Sequence, residues 1–167
     1  MAITKIQSES LNLADDFAFT GTITGAGGVN TPAFQVVPTS TQGISANTDT
    51  VIAFNSKNWD TNNYYNTGTY RFTPLIAGKY FFYVKIRFDT GADWEYNMVK
   101  IRKNGSDFAR FNRRNDFYDG LILTKVLDAN GTTDYFDFTV RQESAGGVQT
   151  LSGDGAECFA GGYKIIE

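Results

Sequence analysis

Histidine is absent from this 167-residue chain, which removes the commonest general base, the usual partner of a nucleophilic serine and the commonest transition-metal ligand together. Carboxylates remain as candidate acids, and the pairs Asp15 with Asp16 and Asp116 with Asp119 invite comparison with the two acids of a glycosidase. Neighbouring residues on a strand point to opposite faces, and neither spacing sets a second carboxylate across a cleft. The expectation is therefore a protein that is not an enzyme. Asp107, Asp116, Asp119, Asp154 and Glu157 could offer oxygen ligands to calcium, but they show no EF-hand spacing, so no cofactor is expected and calcium is the one ion these acids suggest. Cys158 is the single cysteine, too few for an intramolecular disulfide or a multi-thiolate metal site, and it reads as a small buried hydrophobe.

Binding chemistry is better represented. Arg113, Arg114, Phe117 and Tyr118 join charge to aromatic surface within one expected loop, and Trp94 closes the nearby loop over Thr90–Asp93. Arginine and aromatic residues carry most of the binding energy at interfaces. The competing reading packs Phe117 and Tyr118 against the end of the fold.

Composition narrows the partners. With 15 basic and 18 acidic residues spread along the chain and a net charge of −3, no basic run is available for a phosphate backbone, so nucleic acid is not expected as a partner. No apolar run precedes Leu11, so neither a cleaved leader nor membrane insertion is expected.

The elements that must position these residues follow from hydrophobic periodicity. Alternation of two prevails, beginning with Phe17, Phe19 and Ile23 set against Ala18, Thr20, Thr22 and Thr24. Further strands are expected at 33–37, 51–54, 69–73, 79–88, 94–103, 121–127, 135–141 and 158–166, and no segment makes a helix. Turn signals separate them: Thr73-Pro74, Ala77-Gly78, Asn104-Gly105, Asn130-Gly131 and Gly153-Asp154-Gly155. The run from Asn58 to Tyr65 is rich in Asn and Asp and reads as a polar connection across the sandwich. Short strands with such turns and no helices describe an all-β sandwich or barrel.

Two features ask for something outside one copy of the fold. The stretch from Lys79 to Phe88 opens with aromatics on both faces, whereas the outer face of a lone sandwich should be polar. Residues 1 to 30 read as an arm whose Leu11, Leu13, Phe17, Phe19 and Ile23 need another chain or the domain body to cover them.

Residues 33 to 166 resemble the C1q/tumour-necrosis-factor jelly roll. Ala33-Phe34 looks like the family's opening Ala-Phe, and Val51-Ile52-Ala53-Phe54 like the strand that follows. Tyr65-Asn66-Thr67-Gly68-Thr69-Tyr70-Arg71-Phe72-Thr73-Pro74, then Ala77-Gly78-Lys79-Tyr80-Phe81-Phe82, is similar to the family's most recognisable stretch. Val99-Lys100-Ile101-Arg102-Lys103-Asn104-Gly105 and the closing Phe159-Ala160-Gly161-Gly162-Tyr163-Lys164-Ile165-Ile166 continue the order. One departure is plain: where the family has Leu-x-x-Gly-Asp-x-Val, this chain has Leu127-Asp128-Ala129-Asn130-Gly131. The resemblance implies a ten-strand jelly-roll domain over residues 31–167, a homotrimer packed about its inner sheets, both chain ends at one pole and recognition loops at the other. By position it makes Tyr80, Phe82, Tyr163 and Ile165 interface or core candidates.

The segment from Leu11 to Gly25 is similar to one found in structural proteins of tailed phages, especially marine ones. Together the two resemblances imply a non-enzymatic virion protein, made in the host cytoplasm. It would be a trimeric tail fibre, spike or capsid decoration that attaches to other virion proteins through residues 1–30 and adheres to a host receptor or glycan. A cement protein binding only other virion components is the alternative, and a secreted C1q-like lectin a further one.

Overall fold

The computed structural model describes residues 30–89, 94–114, 120–144 and 147–165. Among them every regular element is a strand: β1 (Ala33–Val37), β2 (Gln42–Ile44), β3 (Thr50–Val51), β4 (Ser56–Asp60), β5 (Tyr65–Asn66), β6 (Arg71–Phe72), β7 (Gly78–Ile86), β8 (Trp94–Lys103), β9 (Ser106–Arg113), β10 (Leu121–Ala129), β11 (Phe136–Ser144), β12 (Gln149–Leu151) and β13 (Phe159–Lys164). Ten of these have three residues or more. They form two packed sheets, β10-β7-β13-β1-β4 and β5-β6-β11-β8-β9, with β3 also on β11 and β2 paired to β12. The chain is an all-β jelly-roll sandwich.

Alternation along β7 shows why the layers hold. Tyr80, Phe82, Val84 and Ile86 point between the sheets and are fully buried, while the residues between them are not. Phe34 from β1 stacks on Phe72 from β6 with ring centres 4.1 Å apart, and Phe82 meets Phe136 from β11 at 4.5 Å. Rings of this size bury large apolar areas for few frozen torsions. The Tyr65 hydroxyl donates to the Phe54 carbonyl and that of Tyr80 to the Ile76 carbonyl, so neither phenol is left unpaired in the core. Burial pushes the Tyr80 phenol up to about 12, with the nearby Tyr64 adding to the effect.

Three expectations are corrected by strand pairing. The run beginning at Asn58 is not simply a connection: β4 pairs with β1, Trp59 opposite Gln35. Its polar sequence is tolerated because β4 is the last strand of its sheet. Ser106–Arg113, where no strand was expected, pairs with β8 as the other sheet's edge, and its charged composition hides the period. Gln149–Leu151 pairs with β2 inside what reads as a loop. Conversely, of the expected strand 51–54 only Val51 pairs, as the end of β3, although Ile52 and Phe54 still enter the core.

Register places the chain ends. Ala33 lies opposite Tyr163, and Gly78 opposite Ala129, so both described ends share a pole with the start of β7. Asn97 opposite Arg113, Ser144 opposite Trp94 and Leu121 opposite Ile86 mark the far pole. The rebuilt turn at 127–134 belongs to the terminal pole. There the Asn130 side-chain oxygen accepts from the backbone N–H groups of Thr132, Thr133 and Asp134. Gly131 adopts φ +72°, and a Cβ on it would sit 2.4 Å from the Ala77 nitrogen, so no other residue fits.

Asp134 locks this turn to the second sheet. Its carboxylate accepts from Lys103 Nζ, Asn104 Nδ2 and the Asn130 backbone N–H, each at 2.8 Å. Burial alone would raise its pKa, but the donors from Lys103, Asn104 and Asn130 outweigh burial and hold the carboxyl below the ordinary carboxylate value. A depressed pKa contributes stability above the unfolded value that disappears as pH falls through the folded one. Asp134→Asn should therefore cost about 1–3 kcal/mol at pH 7 in urea unfolding, since an amide nitrogen would face existing donors. The gap from wild type should narrow as pH drops below the normal carboxylate range; a gap independent of pH would contradict the role given to the charge.

Candidate assembly face

The outward face of the five-stranded sheet is built from the other half of β7. Phe81, Tyr83 and Lys85 alternate with the buried set and point away from the core. Strand pairing spreads this face sideways in three rows. Tyr163, Phe81 and Val126 form one, Phe159, Lys85 and Ile122 the second, and Trp59, Gln35, Gly161, Tyr83 and Thr124 the third.

The rings touch one another. Phe81 lies 5.4 Å from Tyr163 and 6.4 Å from Tyr83, and Tyr83 lies 6.2 Å edge-on from Phe159, all between ring centres. Gly161 makes room for this. A Cβ there would stand 2.4 Å from the Tyr83 hydroxyl oxygen, so Tyr83 can lie flat only over a glycine. The same hydroxyl accepts from Gln35 Nε2 at 3.2 Å. Burial raises the Tyr83 pKa and the Gln35 donor partly offsets it. Beyond the rings, Trp59 is 42% exposed, Ile122 60% and Val126 43%. A solvated outer face would be polar throughout; this one is a largely aromatic and aliphatic platform interrupted by Gln35, Lys85 and Thr124.

The structure divides the four interface or core candidates. Tyr80 and Phe82 have no surface to offer a partner, so for them the interface role is corrected: both are core. Tyr163 stands on the outward platform, and Ile165 is half-buried at the terminal pole, where its N–H donates to the Lys79 carbonyl. Phe81 and Tyr83 are the platform residues that positional correspondence missed. The signal was present in β7 itself. Its odd positions carry Lys79, Lys85 and Arg87, while its even positions from Tyr80 to Phe88 are wholly apolar, which marks the odd face as outermost.

At the far pole, Trp94 opens β8, Arg113 closes β9 and Arg114 follows it, both arginines with exposed side chains. Phe117 and Tyr118 lie outside the described residues, as do Leu11, Leu13, Phe17, Phe19 and Ile23 of the arm and both carboxylate pairs proposed as acids. The calcium candidates do not converge. Asp107 is at the terminal pole bound to Lys100 at 2.9 Å, whereas Asp154 and Glu157 precede β13 at the far pole. Glu157 is paired with Lys85 and Arg87, and Asp154 accepts from the Ala156 N–H. Asp116 and Asp119 lie outside the described residues. No group of three or more His, Cys, Asp or Glu able to hold a metal occurs among the described residues. An open groove of about 510 Å³ at the terminal pole, bordered by Tyr64, Asn66, Thr67 and Leu75, contains no carboxylate. Cys158 is fully buried, its thiol pushed up to about 11 by that burial despite a hydrogen bond from the Arg87 N–H.

This is a jelly roll whose distinctive surface is an apolar sheet face. No family model matches the sequence, nor does any curated protein. Solved structures do match its fold. Murine APRIL is 14% identical with a TM-score of 0.63, covering 80% of this chain and 98% of that one. The globular domain of zebrafish complement 1qA protein is 15% identical with a TM-score of 0.55, covering 81% and 98%. PRD1 vertex protein P5 is 14% identical with a TM-score of 0.63, covering 83% and 100%. The fold is thus shared with TNF- and C1q-like jelly rolls and with a phage vertex protein.

Proposed function

We propose that this protein is a non-enzymatic structural component of a phage virion. It assembles as a homotrimer through the outward face of its five-stranded sheet, attaches to other virion proteins through residues 1–30 and presents its far-pole loops to a host receptor or glycan. The observation that carries the reading is the platform of Phe81, Tyr83, Phe159 and Tyr163 with the more exposed Trp59, Ile122 and Val126 around it. Fully covering a side chain of this kind contributes about 1.5–3 kcal/mol. Phe81, Tyr83, Phe159 and Tyr163 are already partly buried, so association would gain only a fraction of this from each, and the more exposed Trp59, Ile122 and Val126 would add more.

A vertex protein among the fold's neighbours supports the virion setting, as does the likeness of residues 11–25 to phage structural proteins. Geometry supports adhesion: Arg113 and Arg114 stand at the pole opposite the described ends, so three copies joined side by side would display three such poles in one direction. Three weak sites on one rigid body raise avidity by about 10²–10⁴ over one.

Placing charge on the platform should dissociate the assembly without unfolding the protomer. Phe81→Glu with Tyr163→Glu should reduce the solution mass to that of one chain while the β-type circular dichroism persists; an unchanged oligomer would remove the platform from the interface. The cement alternative is separated by deleting residues 1–30. An adhesin should lose particle attachment and keep binding to cells or glycans, whereas a cement protein should lose all measurable binding.

A further inference from the structure

The open groove at the terminal pole belongs neither to the aromatic platform nor to the far-pole loops. Its walls come from the segments on either side of the β5–β6 hairpin, and the Thr73 N–H donating to the Tyr64 carbonyl at 2.9 Å ties them together. Asp60, at the end of β4, shapes the first wall. Its side chain is 2% exposed and accepts from the backbone N–H groups of Tyr64 at 3.1 Å and Tyr65 at 2.9 Å, and from Lys57 Nζ at 2.9 Å. The charges of Asp60 and Lys57 are thus met by one another, and no described residue lining the groove carries a charge.

The lining groups are polar, neutral and held ready. The side-chain oxygen of Asn63 accepts from Lys57 Nζ, and that of Asn66 accepts from the N–H groups of Gly68 at 2.8 Å and Thr69 at 3.0 Å. Both amides are fixed by these bonds, and each keeps its Nδ2 as a donor that no described residue takes up. The hydroxyls of Tyr64, Thr67 and Thr73 also have no partner among the described residues. Beside them lies apolar surface, from the half-buried Tyr64 ring and from Leu75, which is 55% exposed.

We infer that this groove binds a short neutral saccharide. A sugar ring carries hydroxyls around its rim that both donate and accept, and a patch of C–H groups on its face. The two amides suit the accepting role of those hydroxyls, the three protein hydroxyls suit either role, and Tyr64 with Leu75 suits the C–H patch. An acidic ligand finds no cation in the lining, and a peptide added as a strand finds only the two residues of β5 to pair with. At about 510 Å³ the groove has the size of a small-molecule site. The inference goes beyond the adhesive role of the far-pole loops, because the groove lies at the opposite pole and needs nothing from them. Each hydrogen bond here replaces one to water and gains little, so a single groove binds weakly and several copies on one assembly bind together.

The full-length protein applied to an array of neutral oligosaccharides of two to four hexoses, with sialylated and uronic-acid counterparts, tests this. Neutral members should be bound, and the acidic counterparts should bind no better. Tyr64→Phe with Thr73→Val removes two hydroxyls that have no described partner while keeping both shapes, and should weaken binding about ten-fold. Leu75→Asp, at an exposed position, should abolish binding while the β-type circular dichroism persists. If no neutral member is bound, or if acidic members are preferred, the inference is wrong. Full binding by both variants would place the sugar on another surface, overturning the groove while leaving adhesion through the far pole standing.

Discussion

Everything in this molecule is organised around a strand that carries large rings on both sides. In β7 a period of two sends Tyr80 and Phe82 into the space between the sheets and Phe81 and Tyr83 out of it. The inner rings are satisfied within the protomer by Phe34, Phe72 and Phe136. The outer rings pack against one another, over Gly161 and beside Gln35 and Lys85, and stay partly exposed. Gly161 and Gly162 serve both sides of that arrangement. A Cβ on the first would strike Tyr83 outside, and one on the second would strike Phe82 inside.

The second sheet is closed by a different chemistry. Asp137 is fully buried and receives Arg102 in a two-pronged pair at 2.6 and 2.9 Å, with Arg71 3.7 Å away and lying over the Tyr135 ring. Lys100, almost buried, joins Asp49 to Asp107. Burial opposes its charge, yet the two carboxylates raise its pKa. A buried pair of this kind adds little net stability over an apolar one, but breaking it leaves a stranded charge between β8 and β11. The two sheets thus have opposite outer characters, ionic on one side and aromatic on the other. That asymmetry is what the proposed assembly through the five-stranded sheet rests on.

Strongly alternating strands were legible from residue order alone. β1 and β8 have the bounds expected, and β7, β10, β11 and β13 differ by a few residues at their ends. What escaped were the edges. β4 and β9 bury little, so their sequences need not alternate, and only pairing with β1 and β8 makes them strands. Short β2 and β12 are held by each other across about a hundred residues, a contact no local pattern encodes. At the candidate site, the existence of a two-sided aromatic strand was readable, but positional likeness left Tyr80 and Phe82 as interface or core, and burial makes them core. The lysines at 79 and 85 held the answer, because charge tolerates only the outer face.

Self-association through the platform is the claim on which adhesion and avidity both depend. Sedimentation equilibrium of the unmodified full-length chain over a wide dilution series measures it most directly. The expected result is a species of three times the 18.5 kDa chain that persists to submicromolar concentration. A well-folded species of 18.5 kDa at every concentration would show that the rings of Phe81, Tyr83, Phe159 and Tyr163 need no second copy, and would contradict the account.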